Sequence, residues 1–340
     1  MHIQEAIKTV VQGRDLGQDD AAAVMQQIMT GEATPAQIAA FLTALHLKGE
    51  TDAEIAGMAE VMREKAVRVY HDSPVLDTCG TGGDSSNTFN ISTTAAFVAA
   101  GAGATVAKHG NRAMTSKCGS ADVLEALGVN IELDAEGVAQ CLDQAGIGFM
   151  FAQKFHPAMR YVGPIRREIG IRTAFNVLGP LTNPAHAEYQ VLGVASAPLA
   201  EKLARALSRM GTQHALVVHG SDGVDELSIS ASSLVWEVRA GKQPQQHEIV
   251  PEKIGIERAP RSAIMGGSID ENVRIVRGIL DGSVHGPPRD IVLLNAAAAL
   301  VAAEQAGDFA EGIMLARKAL DEGSAHERME QMVRVSREAS

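Results

Sequence analysis

Several things are scarce in this chain, and each scarcity removes a class of protein. Positive charge is in deficit: 30 lysines and arginines face 41 aspartates and glutamates, for a net charge of −11. That argues against a general nucleic-acid or anionic-membrane surface, while leaving room for one local anion site. The three cysteines, Cys79, Cys118 and Cys141, have neither zinc-ligand spacing nor the even count of a disulfide framework, so a reducing cytoplasm fits best. The most apolar run, Ile291 to Ala303, is too short to span a bilayer and is interrupted by Asn295. It reads as a buried helix. Glu5 follows the start at once and no apolar export signal appears, as expected of a cytoplasmic protein. No repeat or low-complexity linker is evident. Aromatics make up only 4%, with one tryptophan, and small residues dominate instead, which suits close helix–strand packing.

What remains is 340 residues, 46% hydrophobic, long enough for two domains or one large one. The first 70 residues carry helical periodicity only. Ile3, Ile7, Val10 and Val11 share a face, and Gly13 ends the pattern. Ile38, Phe41, Leu42 and Leu45 repeat it, with Thr34 as N-cap before Pro35. Thr51 and Glu54 form a capping box ahead of Ile55, Met58 and Met62.

From Val75 the rhythm changes. Short buried strands are predicted at 75–79, 105–109, 147–152, 191–195 and 215–220, with helices such as 121–128 and 197–211 between them. Alternation of this kind implies a mostly parallel sheet flanked by helices. Residues 232–242 and 246–251 look like an antiparallel excursion at the sheet edge, and the last 70 residues return to helix. The predicted fold class is α/β: a small all-helical domain, 1–70, beside a larger α/β domain, 71–340. The Gly- and Pro-rich segment 156–184 is expected to fold back onto the helical part, making it discontinuous.

Four stretches carry chemistry. "GTGGDSSNTFNIST" follows the first strand and precedes a helix. Gly80, Gly82 and Gly83 let backbone N–H groups approach an anion, and Thr88, Asn90, Ser92 and Thr93 add side-chain donors. A plain flexible turn is the competing explanation. The next strand-to-helix loop, Lys108 to Asp122, repeats the design with Lys108, His109, Arg112 and Lys117, fitting a ligand with phosphates at two ends. Asp225 and Glu226 are either ordinary surface charges or magnesium ligands at a phosphate site. Arg166 either pairs with Glu168 or another surface carboxylate, or forks onto a ligand carboxylate in a cleft.

Taken together, "GTGGD", "NIST", "KHGNR", "GSAD" with "LEALG", "FNVLGPLTNPA" and "VDE" resemble the anthranilate phosphoribosyltransferase family, in order and over nearly the whole chain. Ser85, where glycine is usual, and Thr115, where serine is usual, depart from the pattern without removing a ligand group. The resemblance implies transfer of the phosphoribosyl group of 5-phosphoribosyl 1-pyrophosphate to anthranilate, the second step of tryptophan biosynthesis from chorismate. It implies that Gly80, Gly83, Asp84, Thr88, Asn90, Ile91, Ser92, Thr93, Lys108, Asn111, Ser116 and Ser120 bind the donor. Gly80, Asn111 and Arg166 would contact anthranilate, and Ser92, Asp225 and Glu226 would hold Mg2+, with two ions expected. Lys108 would stabilise the leaving pyrophosphate and Arg166 would orient the acceptor. His109 is a candidate proton acceptor, and equally an orienting loop histidine. A homodimer through helical surfaces is implied as well. Two other classes stay open here: a pyrimidine nucleoside phosphorylase of similar fold, and a non-enzymatic nucleic-acid-binding relative.

Overall fold

The computed structural model describes residues 1–84, 86–113 and 117–339. Its first four helices are α1 (Ile3–Val11), α2 (Gln18–Thr30), α3 (Pro35–Lys48) and α4 (Asp52–Glu64). Local sequence explains their starts. Thr34 accepts from the Gln37 N–H at 3.3 Å, and Thr51 and Glu54 exchange backbone and side-chain bonds as a complete capping box. Ile38, Phe41, Leu42 and Leu45 are buried as the periodicity requires, and so are Ile55, Met58 and Met62. Val11 is the exception. It closes α1 about 100° round from Val10 and is 69% exposed, so it leaves the apolar face assigned to it.

The α/β part runs β1 (Leu76–Gly80), α5 (Ile91–Gly101), β2 (Val106–Gly110), α6 (Ser120–Leu127), α7 (Ala135–Ala145), β3 (Ile147–Phe151) and α8 (Ala152–Phe155). After a 3-10 turn at Pro157–Tyr161 come α9 (Gly163–Ile169), α10 (Phe175–Leu178), β4 (Tyr189–Gly193), α11 (Ala197–Arg209), β5 (His214–Gly220), β6 (Ser233–Arg239) and β7 (Gln245–Ile249). Four helices close the chain: α12 (Ile269–Leu280), α13 (Pro287–Ala302), α14 (Phe309–Asp321) and α15 (Ser324–Glu338). The sheet order is β3-β2-β1-β4-β5-β6-β7. Strands β1 to β5 are parallel, and β6 and β7 add antiparallel edge strands, as the sequence predicts. β4 begins two residues before its predicted start at 191.

Each sheet face has its own core. Leu76, Val106, Phe149 and Val218 pack with α5 and α13 on one side. Leu192, Val217 and Trp236 pack with α11 and the N-terminal helices on the other. Val162, Ile165, Phe175 and Leu178 of the segment around α9 and α10 share that second core with side chains of the N-terminal helices. Arg63 of α4 donates to the Leu181 carbonyl at 3.0 Å, while Asn183 reaches the Ala107 carbonyl on β2 at 2.8 Å. The "GPLTNP" stretch is thus a strut between helices and sheet. Among the described residues no helix is long and apolar enough to cross a membrane.

Candidate active site

In an open parallel sheet the ligand crevice lies outside the carboxyl ends of the strands where their order reverses. Here that point falls between β1 and β4, whose last residues, Gly80 and Gly193, are paired. The end of β1 is packed so closely that a side chain is excluded there. A Cβ on Gly80 would collide with Asp225 Oδ2 and lie 3.1 Å from its Cγ. The Gly82 N–H donates to the same oxygen at 2.8 Å. Asp84 turns back to accept from the Ser86 N–H at 3.0 Å, and its other oxygen accepts from the Asp225 N–H at 3.4 Å. Thr88 meets the Ser86 hydroxyl at 3.2 Å.

The loop delivers the chain to the N-terminus of α5. Glu226 Oε1 accepts from the Ser92 N–H at 3.1 Å, and Thr78 donates to the Ser92 carbonyl at 3.2 Å. Asn90 occupies the cap position, donates to the Cys118 carbonyl at 3.2 Å, and leaves its buried Oδ1 without a partner. Thr93 and the side chain of Ile91 point into the protein, and the Ile91 N–H donates to the Phe89 carbonyl at 2.7 Å. Of the "NIST" residues, Asn90 and Ser92 keep partial exposure.

A partner absent from the sequence reading fixes the acidic pair. Asn295, the polar break in the apolar run of α13, accepts from the Leu227 N–H at 3.0 Å and donates to the Leu227 carbonyl at 3.0 Å. This clamps the backbone immediately after Glu226. Asp225 and Glu226 keep some surface open to the cleft, yet protein encloses them enough to strip much of their hydration. Burial, with Asp84 alongside, pushes Asp225 up to about 7. Burial, with Asp225 alongside, pushes Glu226 well above the ordinary carboxylate range. Burial also raises Asp77 below them and lowers the Lys108 ammonium. Among the described residues no three His, Cys, Asp or Glu side chains converge as a ready cation cage. What they offer is a surplus of crowded carboxylates, which suits an ion that takes a few protein oxygens and completes its shell with substrate and water.

The second loop is less cationic than its composition suggests. Lys108 is 3% exposed and points beneath β1, donating to the Thr78 carbonyl and, at 3.5 Å, to its hydroxyl. Arg112 is taken by Glu125 at 2.7 Å and Asp122 at 3.1 Å. Asp122 also accepts from the Ala113 and Gly119 N–H groups, so that arginine braces the loop and is not free for phosphate. Lys117, exposed and in no ion pair among the described residues, keeps the positive charge expected of this loop. Ser120 donates to the Asn111 carbonyl at 3.4 Å, and the Asn111 amide oxygen accepts from the Gln153 side chain at 3.4 Å. Ser116 lies outside the described residues, as do Ser85 and Thr115.

His109 faces His156, a residue not singled out in sequence. Their Nε2 atoms are 3.2 Å apart and both side chains are buried. Burial, with His156 alongside, lowers His109 well below its usual range, and burial brings His156 to about 4. Which Nε2 donates to the other is set by the tautomers of the two rings. Arg166 on α9 is half-buried with its guanidinium 5.5 Å from the centre of the Phe175 ring. Among the described residues it forms no ion pair with Glu168 or any other carboxylate.

Residues 72–326 match the α/β domain of a glycosyl transferase family, and residues 4–66 match its helical bundle domain. An anthranilate phosphoribosyltransferase of Herpetosiphon aurantiacus is 73% identical over 336 residues, covering 99% of both chains. The crystal structure of the Thermus thermophilus enzyme of that name is similar at a TM-score of 0.92 and 46% identity, over 98% of this chain and 99% of that one. The Saccharomyces cerevisiae enzyme, in complex with PRPP and Mg, is similar at a TM-score of 0.90 and 29% identity, over 99% and 98%.

Proposed function

The chain belongs to the anthranilate phosphoribosyltransferase family, and from that premise we propose how its own residues carry the reaction. The enzyme transfers the phosphoribosyl group of 5-phosphoribosyl 1-pyrophosphate to the amine of anthranilate. The products are N-(5-phosphoribosyl)anthranilate and pyrophosphate, in the second step of tryptophan biosynthesis from chorismate. It binds Mg2+ with its donor.

In our reading, the loop from Gly80 through Gly83 and Asp84, with Thr88, Asn90, Ser92 and Thr93, receives the donor. Asn111 and Ser120 border it from the second loop. Ser92, Asp225 and Glu226 hold magnesium, with two ions expected once the donor is bound. The metal's contribution is positive charge beside the departing pyrophosphate. Lys108 acts from below: its ammonium stiffens Thr78 and places positive charge under the loop. Arg166 engages the anthranilate carboxylate, setting the amine behind C1 of the ribose. His109, its ring held by His156, is the candidate acceptor of the proton that the aniline nitrogen sheds and equally a residue that orients the loop.

The helices of residues 1–70, with 156–184, act as one body facing the rest of residues 71–340. A homodimer through helical surfaces is part of this reading, and Val11 and Leu47, 69% and 81% exposed on α1 and α3, are apolar side chains such a contact would cover. Three free thiols fit a cytoplasmic setting.

The observation that carries this reading is the acidic pair at the β1–β4 crevice, lodged against the glycine loop by the Gly82 and Ser92 N–H groups. Loss of anthranilate fluorescence tests it directly. The signal must require both the donor and magnesium. Loss without the donor, or phosphorolysis of thymidine in its place, would contradict it.

A further inference from the structure

With Lys108 turned under β1 and Arg112 tied to Glu125 and Asp122, Lys117 is the cationic side chain of the two loops left exposed and without an ion pair among the described residues, and a ligand with several phosphates calls for more positive charge than that. One arginine outside both loops is placed to supply it. Arg172 lies in the turn after α9, beyond Gly170, whose φ of +68° ends that helix. Its guanidinium rests on Gly83. A Cβ there would collide with Nη1 and lie 3.1 Å from Cζ and Nη2. Gly83 also has a φ of +76°, so an L side chain is disfavoured twice over at that point.

Arg172 is exposed, and among the described residues it makes no ion pair and no hydrogen bond. In a chain of net charge −11, an arginine that ignores the abundant carboxylates and lies on a glycine anion loop is oriented by something other than a protein counter-ion. Its segment is not loose. The next residue, Thr173, donates its N–H to Asn176 at 2.9 Å and is 4% exposed. The Thr173 hydroxyl oxygen is buried without a partner. Phe175, just beyond, carries Arg166 over its ring.

We propose that Arg172 is a further ligand of the donor, binding its phosphoryl oxygens from the helical side of the cleft above Gly83. This rests on the phosphoribosyltransferase reading and adds to it a residue outside both loops. A guanidinium offers two parallel N–H donors in a plane, which matches a phosphoryl group better than a point charge does.

The test compares Arg172→Ala and Arg172→Lys with the wild-type enzyme. The KM for 5-phosphoribosyl 1-pyrophosphate should rise about 10- to 100-fold in Arg172→Ala, the loss expected for hydrogen bonds to a charged group. The KM for anthranilate and the melting temperature should stay close to wild type. Arg172→Lys should recover part of the loss, because charge returns without the fork. Calorimetric binding of inorganic pyrophosphate with magnesium should weaken in the same order. An unchanged donor KM in Arg172→Ala overturns the proposal, and so does a rise confined to anthranilate. A lowered melting temperature with unaltered pyrophosphate affinity would make Arg172 structural. If wild type consumed anthranilate without the donor, the underlying reading would fall instead.

Discussion

Two lysines with covered side chains, one in each part of the molecule, are handled in opposite ways. In the helical part, Lys48 donates to Glu54 at 2.9 Å and to Asp15 at 2.7 Å. Glu54 is fully buried and also accepts from the Leu16 N–H at 2.9 Å and the Thr51 N–H at 2.8 Å. Burial pulls the Lys48 ammonium down, but the hydrogen bonds and charges of Asp15 and Glu54 outweigh it and the net shift is upward. Beside the cleft, Lys108 reaches, among the described residues, only the oxygens of Thr78, and burial dominates, lowering it. Around it Asp77 has a buried oxygen with no partner, and Asp225 and Glu226 are pushed upward. The first group is complete and holds a fold together. The second is left unbalanced, and charge imbalance at a strand-end crevice is a mark of a site prepared for a ligand.

The sharpest way to break the comparison is to remove each lysine. Lys48→Met leaves Glu54 buried and unpaired, and should cost about 3–5 kcal/mol of stability with turnover per folded molecule unchanged. Lys108→Met should do the reverse, lowering turnover while moving the thermal transition by less. Equal behaviour of the two variants in paired melts and rate assays would erase the distinction. Next in size is Arg166→Ala. Removing a charge-assisted pair to a carboxylate should raise the KM for anthranilate by about 1.5–3 kcal/mol in free energy, with the donor KM little changed. Parallel small changes in both constants would return Arg166 to a packing role on Phe175.

The smallest expected effect is on pH dependence. Asp225 has a folded value near 7 against an ordinary 3.8, so its folded form holds the proton more tightly. Its contribution to stability is therefore present at low pH and lost as pH rises through its folded value. Without magnesium, the melting temperature of wild type relative to Asp225→Asn should fall as pH rises from about 4 to about 7 and level off above that. A flat difference would mean that Asp225 is not crowded.

Much of this was legible in the chain because it is local. The Thr51–Glu54 box, the strand rhythm, the antiparallel β6 and β7 and the glycine loop all depend on neighbours a few residues apart. What was hidden depends on the fold bringing distant residues together. Arg112 looks like a phosphate ligand until the loop turns back and sets Asp122 and Glu125 against it. His156 has no visible role until β2 places His109 at 3.2 Å. Asn295 looks like a flaw in an apolar helix until Leu227 arrives to use both ends of its amide. Arg172 sits in the motif-poor part of a segment read only as Gly- and Pro-rich, and its meaning comes from Gly83, far off in sequence.

The central claim is that the carboxylates of the crevice are balanced by magnesium and not by protein. Its most direct test is a magnesium titration of the initial rate at saturating substrates, comparing wild type with the double variant Asp225→Asn, Glu226→Gln, beside a melt showing that the variant is folded. The account predicts a folded variant that needs far more magnesium for half its maximal rate and reaches a lower plateau. A variant curve that overlays wild type would contradict it and remove both residues from the site.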